Sequence, residues 1–130
     1  MEKEDLIKYW IESSDRDFET MQHLFEKNDF HWSLFIGHLV IEKLIKAYYV
    51  KNVDNQPPFI HNLLRLAEKT DLNLTEDQKD ILATFTTFNI RARYDDYKQA
   101  FYQTCTKEFT EKWIEKIKDF RKWIKEQHLK

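Results

Sequence analysis

The sequence predicts an all-α protein: an antiparallel bundle of four main helices with short extra helices between them. One glycine and two prolines in 130 residues are too few tight-turn residues for a β-rich chain of this size. Apolar residues recur at steps of three and four over four long segments, which is the period of a helix face. Short polar breaks separate those segments and suit antiparallel neighbours. Charged residues at 34% beside hydrophobic residues at 42% supply both outer helix faces and an interior. The length suits one core, so residues 1–130 are read as a single domain.

The first helix is expected over about Glu4 to Glu26, where Ile7, Ile11, Ser14, Phe18, Met21 and Phe25 form one stripe. Asp15, Asp17 and Glu19 are assigned to its solvated side, and Asn28 with Asp29 breaks it. The second, from Phe30 to Lys51, is apolar around most of its circumference and is expected to be the most buried. Gly37 inside it marks a point of close helix packing. On one side stand His38, Glu42 and Lys46, four residues apart. They form either a recognition strip or a helix-stabilising Glu-Lys pair with a neighbouring histidine.

Asn52 to Phe59 contains both prolines and reads as a loop. A short helix restarts near Ile60, with His61 at its entrance. Thr75 and Gln78 have the spacing of a capping box ahead of Ile81, Leu82, Phe85 and Phe88. Periodicity weakens from Asn89 to Asp96, and Tyr97 to Thr106 fits a short helix or a packed loop equally. Phe109, Trp113, Ile117, Phe120 and Ile124 then define a long final helix.

The formal net charge of -2 argues against a globally basic nucleic-acid binder. Locally, residues 1–27 carry -4 and residues 107–130 carry +3, either a surface for an acidic partner or two faces balanced within the fold. Cys105 is the single cysteine, so neither an intramolecular disulfide nor a cysteine metal cluster forms, which fits a reducing compartment. The start carries no secretory pattern and no apolar run approaches membrane-spanning length, so a cytoplasmic protein with no membrane association is expected.

A single glycine excludes a glycine-rich phosphate loop. His23, His31, His38, His61 and His128 show no zinc-ligand spacing, and neither a metal nor a cofactor is assigned. Asp95 and Asp96 are consecutive, about 100° apart on a helix, and do not converge as a glycosidase pair would. Arg91 or Arg93 either pairs with these acids or offers its planar fork to phosphate, with Tyr94 and Tyr97 available for base stacking.

The run Phe35 to Ile41 leading into Glu42, Lys43, Leu44, Ile45, Lys46 and Ala47, then His61-Asn62-Leu63 after a proline-containing loop, then Arg93-Tyr94, resembles the HEPN domain family in content and order. The resemblance covers nearly the whole chain. It implies a helical domain that often dimerises, partners small nucleotidyltransferases and, in some branches, acts as an RNA-cleaving toxin. Those toxin branches carry an arginine followed at short spacing by a catalytic histidine, whereas Arg93 is followed by Tyr94, Asp95, Asp96, Tyr97, Lys98 and Gln99. Arg16 with His23 and Arg121 with His128 have that kind of spacing, but in the first and last helices, and are read as coincidental.

The expected function is therefore a noncatalytic nucleotide- or nucleic-acid-associated module acting beside a nucleotidyltransferase. Its candidate ligand contacts are Arg91, Arg93, Tyr94, Glu42, Lys46 and His61, and no catalytic residue is assigned. The alternatives are a metal-independent ribonuclease, with arginine on the phosphate and His61 or a partner residue moving the proton, and a pure protein-interaction module. Ten Phe, six Tyr and four Trp are many to conceal in one small core, so a homodimer is expected.

Overall fold

The computed structural model describes residues 2–130 and contains six helices: α1 (Lys3–Glu26), α2 (Phe30–Asn52), α3 (Leu63–Glu68), α4 (Glu76–Arg93), α5 (Asp95–Thr104) and α6 (Lys107–His128). Among the described residues there is no strand, as the scarcity of turn residues predicts. No helix among them is long and apolar enough to cross a membrane.

The break between α1 and α2 rests on Asn28, which adopts φ 65, a left-handed conformation that asparagine tolerates better than most residues. The Asp29 amide then bonds the Leu24 carbonyl at 2.8 Å, closing α1 and returning the chain along it. α2 is the centre of the bundle and touches α1, α3, α4, α5 and α6. Two serines permit close approach to α1: Ser14 Oγ donates to the Val40 carbonyl and Ser33 Oγ to the Met21 carbonyl, each at 2.8 Å. Gly37 does the same toward α6, since a Cβ there would lie 2.4 Å from Ile117 Cδ1 and 3.1 Å from Met21 Sδ.

The capping box of α4 is present, with Thr75 and Gln78 satisfying each other's backbone amides, and Thr106 caps α6 through the Phe109 amide. α3 begins at Leu63, later than the expected restart near Ile60, because Asn62 supplies the cap by accepting from the Arg65 amide at 3.1 Å. The open question after Asn89 resolves into two helices. Tyr94 is extended, at φ -88 and ψ 130, which ends α4 and starts α5, with Asp95 and Asp96 in the first turn where the helix dipole favours acids. Phe88 stacks on Phe101 at 5.7 Å and holds α5 against the core. Cys105 is buried and its thiol is pushed up to about 12 by that burial, so it packs as a small hydrophobe.

One expectation is corrected. Asp15 and Asp17 are not simply solvated: Asp15 accepts from Arg121 at 3.1 Å and Lys125 at 2.9 Å, and Asp17 pairs with Lys43 at 2.6 Å. Helical periodicity identifies the core face but not which neighbour flanks the polar one. Part of the charge asymmetry between the chain's ends is thereby balanced within the fold.

Candidate functional site

On α2, residues four apart lie one above the other, and this stacks His38, Glu42 and Lys46, which are only 0%, 4% and 6% exposed. The loop ahead of α3 lays His61 over them. His61 Nδ1 donates to Glu42 Oε1 at 2.9 Å, and Lys46 Nζ donates to Glu42 Oε2 at 3.1 Å. From below, His38 Nε2 lies 2.9 Å from the His61 carbonyl oxygen. A carbonyl only accepts, so Nε2 carries a proton; burial disfavours a second one, which leaves His38 Nδ1 a lone pair with no hydrogen-bond partner among the described residues. His61 is thus held twice, at its ring by Glu42 and at its backbone by His38, while its side chain remains 60% exposed. With Nδ1–H on the carboxylate, Nε2 is the basic nitrogen.

Burial pulls the His38 imidazole below the usual histidine value, against the hydrogen bond to the His61 carbonyl and the charge of Glu42, which favour protonation. His61 and Arg93, where charged, press in the same direction as burial. At 3.7 Å from Glu42 Oε1, neutral His38 makes no hydrogen bond to that carboxylate. Because the unfolded chain protonates near 6.5 and the folded His38 resists, the unfolded state binds more protons as pH falls through that value. Stability is therefore expected to fall on acidification below pH about 6.5, by at most about 1.4 kcal/mol per pH unit for this group, until His38 itself is protonated. His38→Gln, which keeps a donor for the His61 carbonyl, should flatten that dependence in urea titrations while leaving the share of His31, also lowered by burial. An unchanged slope would contradict a buried neutral His38.

Arg93 approaches this cluster from α4. Its guanidinium lies 5.6 Å from the Phe35 ring, one turn before His38, and 5.6 Å from the Tyr94 ring. Nε donates to the Asn89 carbonyl at 3.3 Å, and Tyr94 is 55% exposed. Arg91 goes elsewhere, because two residues turn a helix by about 200°. Its guanidinium covers Phe101 at 4.6 Å, reaches Thr104 Oγ1 at 3.5 Å and lines a cavity of about 330 Å³ with Thr87, Ile90 and Tyr97. Neither arginine pairs with Asp95 or Asp96 among the described residues, and the contacts above take the place of a helix-end ion pair.

The fold therefore gathers His61, Glu42 and Lys46, sets Arg93 with Tyr94 within electrostatic reach through His38, and leaves Arg91 on another face. The Glu42-Lys46 helix pair with a neighbouring histidine is present, and both of its members are buried. His38, absent from the candidate contacts, belongs to the cluster; its signal was a histidine one turn before a glutamate on the most apolar helix. Trp10 adds a wall, its ring 5.3 Å from Lys46 Nζ. His128, seven residues after Arg121, packs against Tyr48 and Trp123.

A family model described as the HEPN domain matches residues 7–127. The crystal structure of TT1696 from Thermus thermophilus is similar in fold, with a TM-score of 0.79 over 92% of this chain and 96% of that one, at 17% sequence identity. No curated protein matches the sequence.

Proposed function

This chain belongs to the HEPN domain family, and on that premise we propose that it is a metal-independent RNA-cleaving protein in which His61 moves the proton and Arg93 meets the phosphate. The observation that carries this reading is the exposed His61 imidazole with Nδ1 held 2.9 Å from a buried glutamate. A carboxylate on one imidazole nitrogen sets the tautomer and orientation in which the other acts as a base. Arginine, always protonated, suits the charge that grows on the phosphate.

In the proposed reaction the RNA 2′-hydroxyl loses its proton to His61 Nε2 as O2′ bonds to phosphorus. The bond from phosphorus to O5′ breaks, the leaving oxygen takes a proton from water, and the proton held on His61 Nε2 returns to the hydroxide so formed, restoring the base. The products are a 2′,3′-cyclic phosphate and a 5′-hydroxyl, and no redox or metal step is required. Incubation of purified protein with single-stranded and structured RNAs in excess chelator tests it. Multiple-turnover cleavage with cyclic phosphate ends is expected, falling sharply in Arg93→Ala, and the absence of turnover would overturn the catalytic reading.

A noncatalytic module beside a nucleotidyltransferase, or a homodimer held through the same face, is the second reading. It is favoured by Phe59, 98% exposed and lining a cavity of about 480 Å³ with Trp10, Lys46, Gln56, Pro57 and Pro58. A phenylalanine wholly in solvent beside two prolines suits a protein contact, and this reading is what an inactive native protein would leave.

A further inference from the structure

Lys98 and Tyr102, four residues apart, share one face of α5 at about 6 Å spacing along the axis, and Tyr94 stands at the N-cap of that helix, four residues before Lys98. The two tyrosines are 55% and 60% exposed. The first turn of α2 runs alongside. Lys98 Nζ lies 5.4 Å from the centre of the Trp32 ring, the Tyr102 ring meets His31 edge-on at 5.3 Å, and the His31 and Trp32 rings are 5.0 Å apart. Arg93 stands at one end of this strip, against Tyr94. At the other, His31 and Tyr102 line a cavity of about 460 Å³ that Lys107 also borders.

We propose that this strip is a track for single-stranded RNA leading away from the phosphate at Arg93, with bases stacking on Tyr94 and Tyr102 and phosphates meeting Lys98 and Lys107. The proposal rests on the RNA-directed reading above and adds the form of the substrate. Aromatic faces alternating with cations hold a single strand without regard to sequence, because every base has a face to stack and every nucleotide a phosphate. A paired helix keeps its bases stacked on one another and has none to offer. Asp96 is turned about 200° around the helix from Tyr94 and lies off the strip, whereas Asp95, three residues before Lys98 and seven before Tyr102, borders it and offsets part of the Lys98 charge. Burial, aided by the charge of Lys98, holds the His31 imidazole below the usual histidine value against the pull of Asp29, so it contributes a ring rather than a charge.

Uncleavable 2′-O-methyl RNAs of two to six nucleotides, followed by fluorescence anisotropy, test the track. In the native protein affinity should rise with length. In Tyr102→Ala and Lys98→Ala the longest oligomer should bind about ten-fold more weakly or worse, with the dinucleotide unaffected and circular dichroism unchanged. The same oligomer should bind more weakly as a duplex. A native length dependence retained in both variants would overturn the track, as would sedimentation showing that Tyr102→Ala dissolves a protein dimer. Cleavage separates the two ideas: turnover of a long substrate by Tyr102→Ala at the native KM removes the track and leaves the catalytic reading, whereas length-dependent binding lost in the variants of a protein that never cleaves removes catalysis and leaves the track.

Discussion

Replacing His61 by alanine is expected to lower kcat for RNA cleavage by about a hundredfold to ten-thousandfold, the range of a lost general acid or base, with little change in KM. Neither His38 nor His128 is positioned to substitute. His38 is fully buried and its Nε2 proton is engaged by the His61 carbonyl, and His128 packs against Tyr48 and Trp123. Arginine does not act as a base, and tyrosine holds its proton too tightly near neutral pH. The protein should remain folded, because His61 is 60% exposed at its side chain and Glu42 retains Lys46. His61→Asn serves as a second variant, keeping a polar group near Glu42 without a group that titrates. Steady-state turnover by His61→Ala at a rate near native would sink the assignment, and a KM effect alone would move His61 from proton transfer to binding.

Glu42→Leu is expected to cost about 3–5 kcal/mol of stability, the usual result of removing one partner of a buried ion pair. Lys46 is only 6% exposed, and after the substitution its ammonium keeps only the Trp10 face, at 5.3 Å. His61 loses its ring anchor in the same step. Domains of ordinary stability hold about 5–15 kcal/mol in all, so this loss brings the protein close to unfolding, and a drop in Tm of about 10–20 °C should accompany it. Glu42→Leu combined with Lys46→Met should recover most of the loss, since a buried pair exchanged for apolar groups of similar volume is often neutral, yet the double variant should stay catalytically impaired because His61 is no longer oriented. Urea denaturation of the two variants decides it. A single substitution costing less than about 1 kcal/mol would mean that the pair is hydrated and contributes little.

Much of the fold was legible because its determinants are local. Ile117, Phe120 and Ile124 repeat at helical intervals and are buried in α6; Thr75 and Gln78 cap α4 within three residues; Gly37 announced the approach of a neighbouring helix, later seen as Ile117. The resemblance carried by the second helix, His61-Asn62-Leu63 and Arg93-Tyr94 agrees with the family match across residues 7–127. The candidate site was legible only as a set of residue types. Arg91 and Arg93 looked equivalent, but a helix turns them to different faces once α5 packs Phe101 beneath one and α2 places Phe35 beside the other.

What the sequence by itself determined is the all-α class, the four long helices and the face each one buries, since helix periodicity and caps act over a few residues. The tertiary structure alone decided that His61 meets Glu42 across 19 residues and that His38 grips the His61 carbonyl across 23. Those contacts depend on the path of the proline loop over α2 and on burial, which makes a polar group's partner obligatory without specifying from which part of the chain it comes.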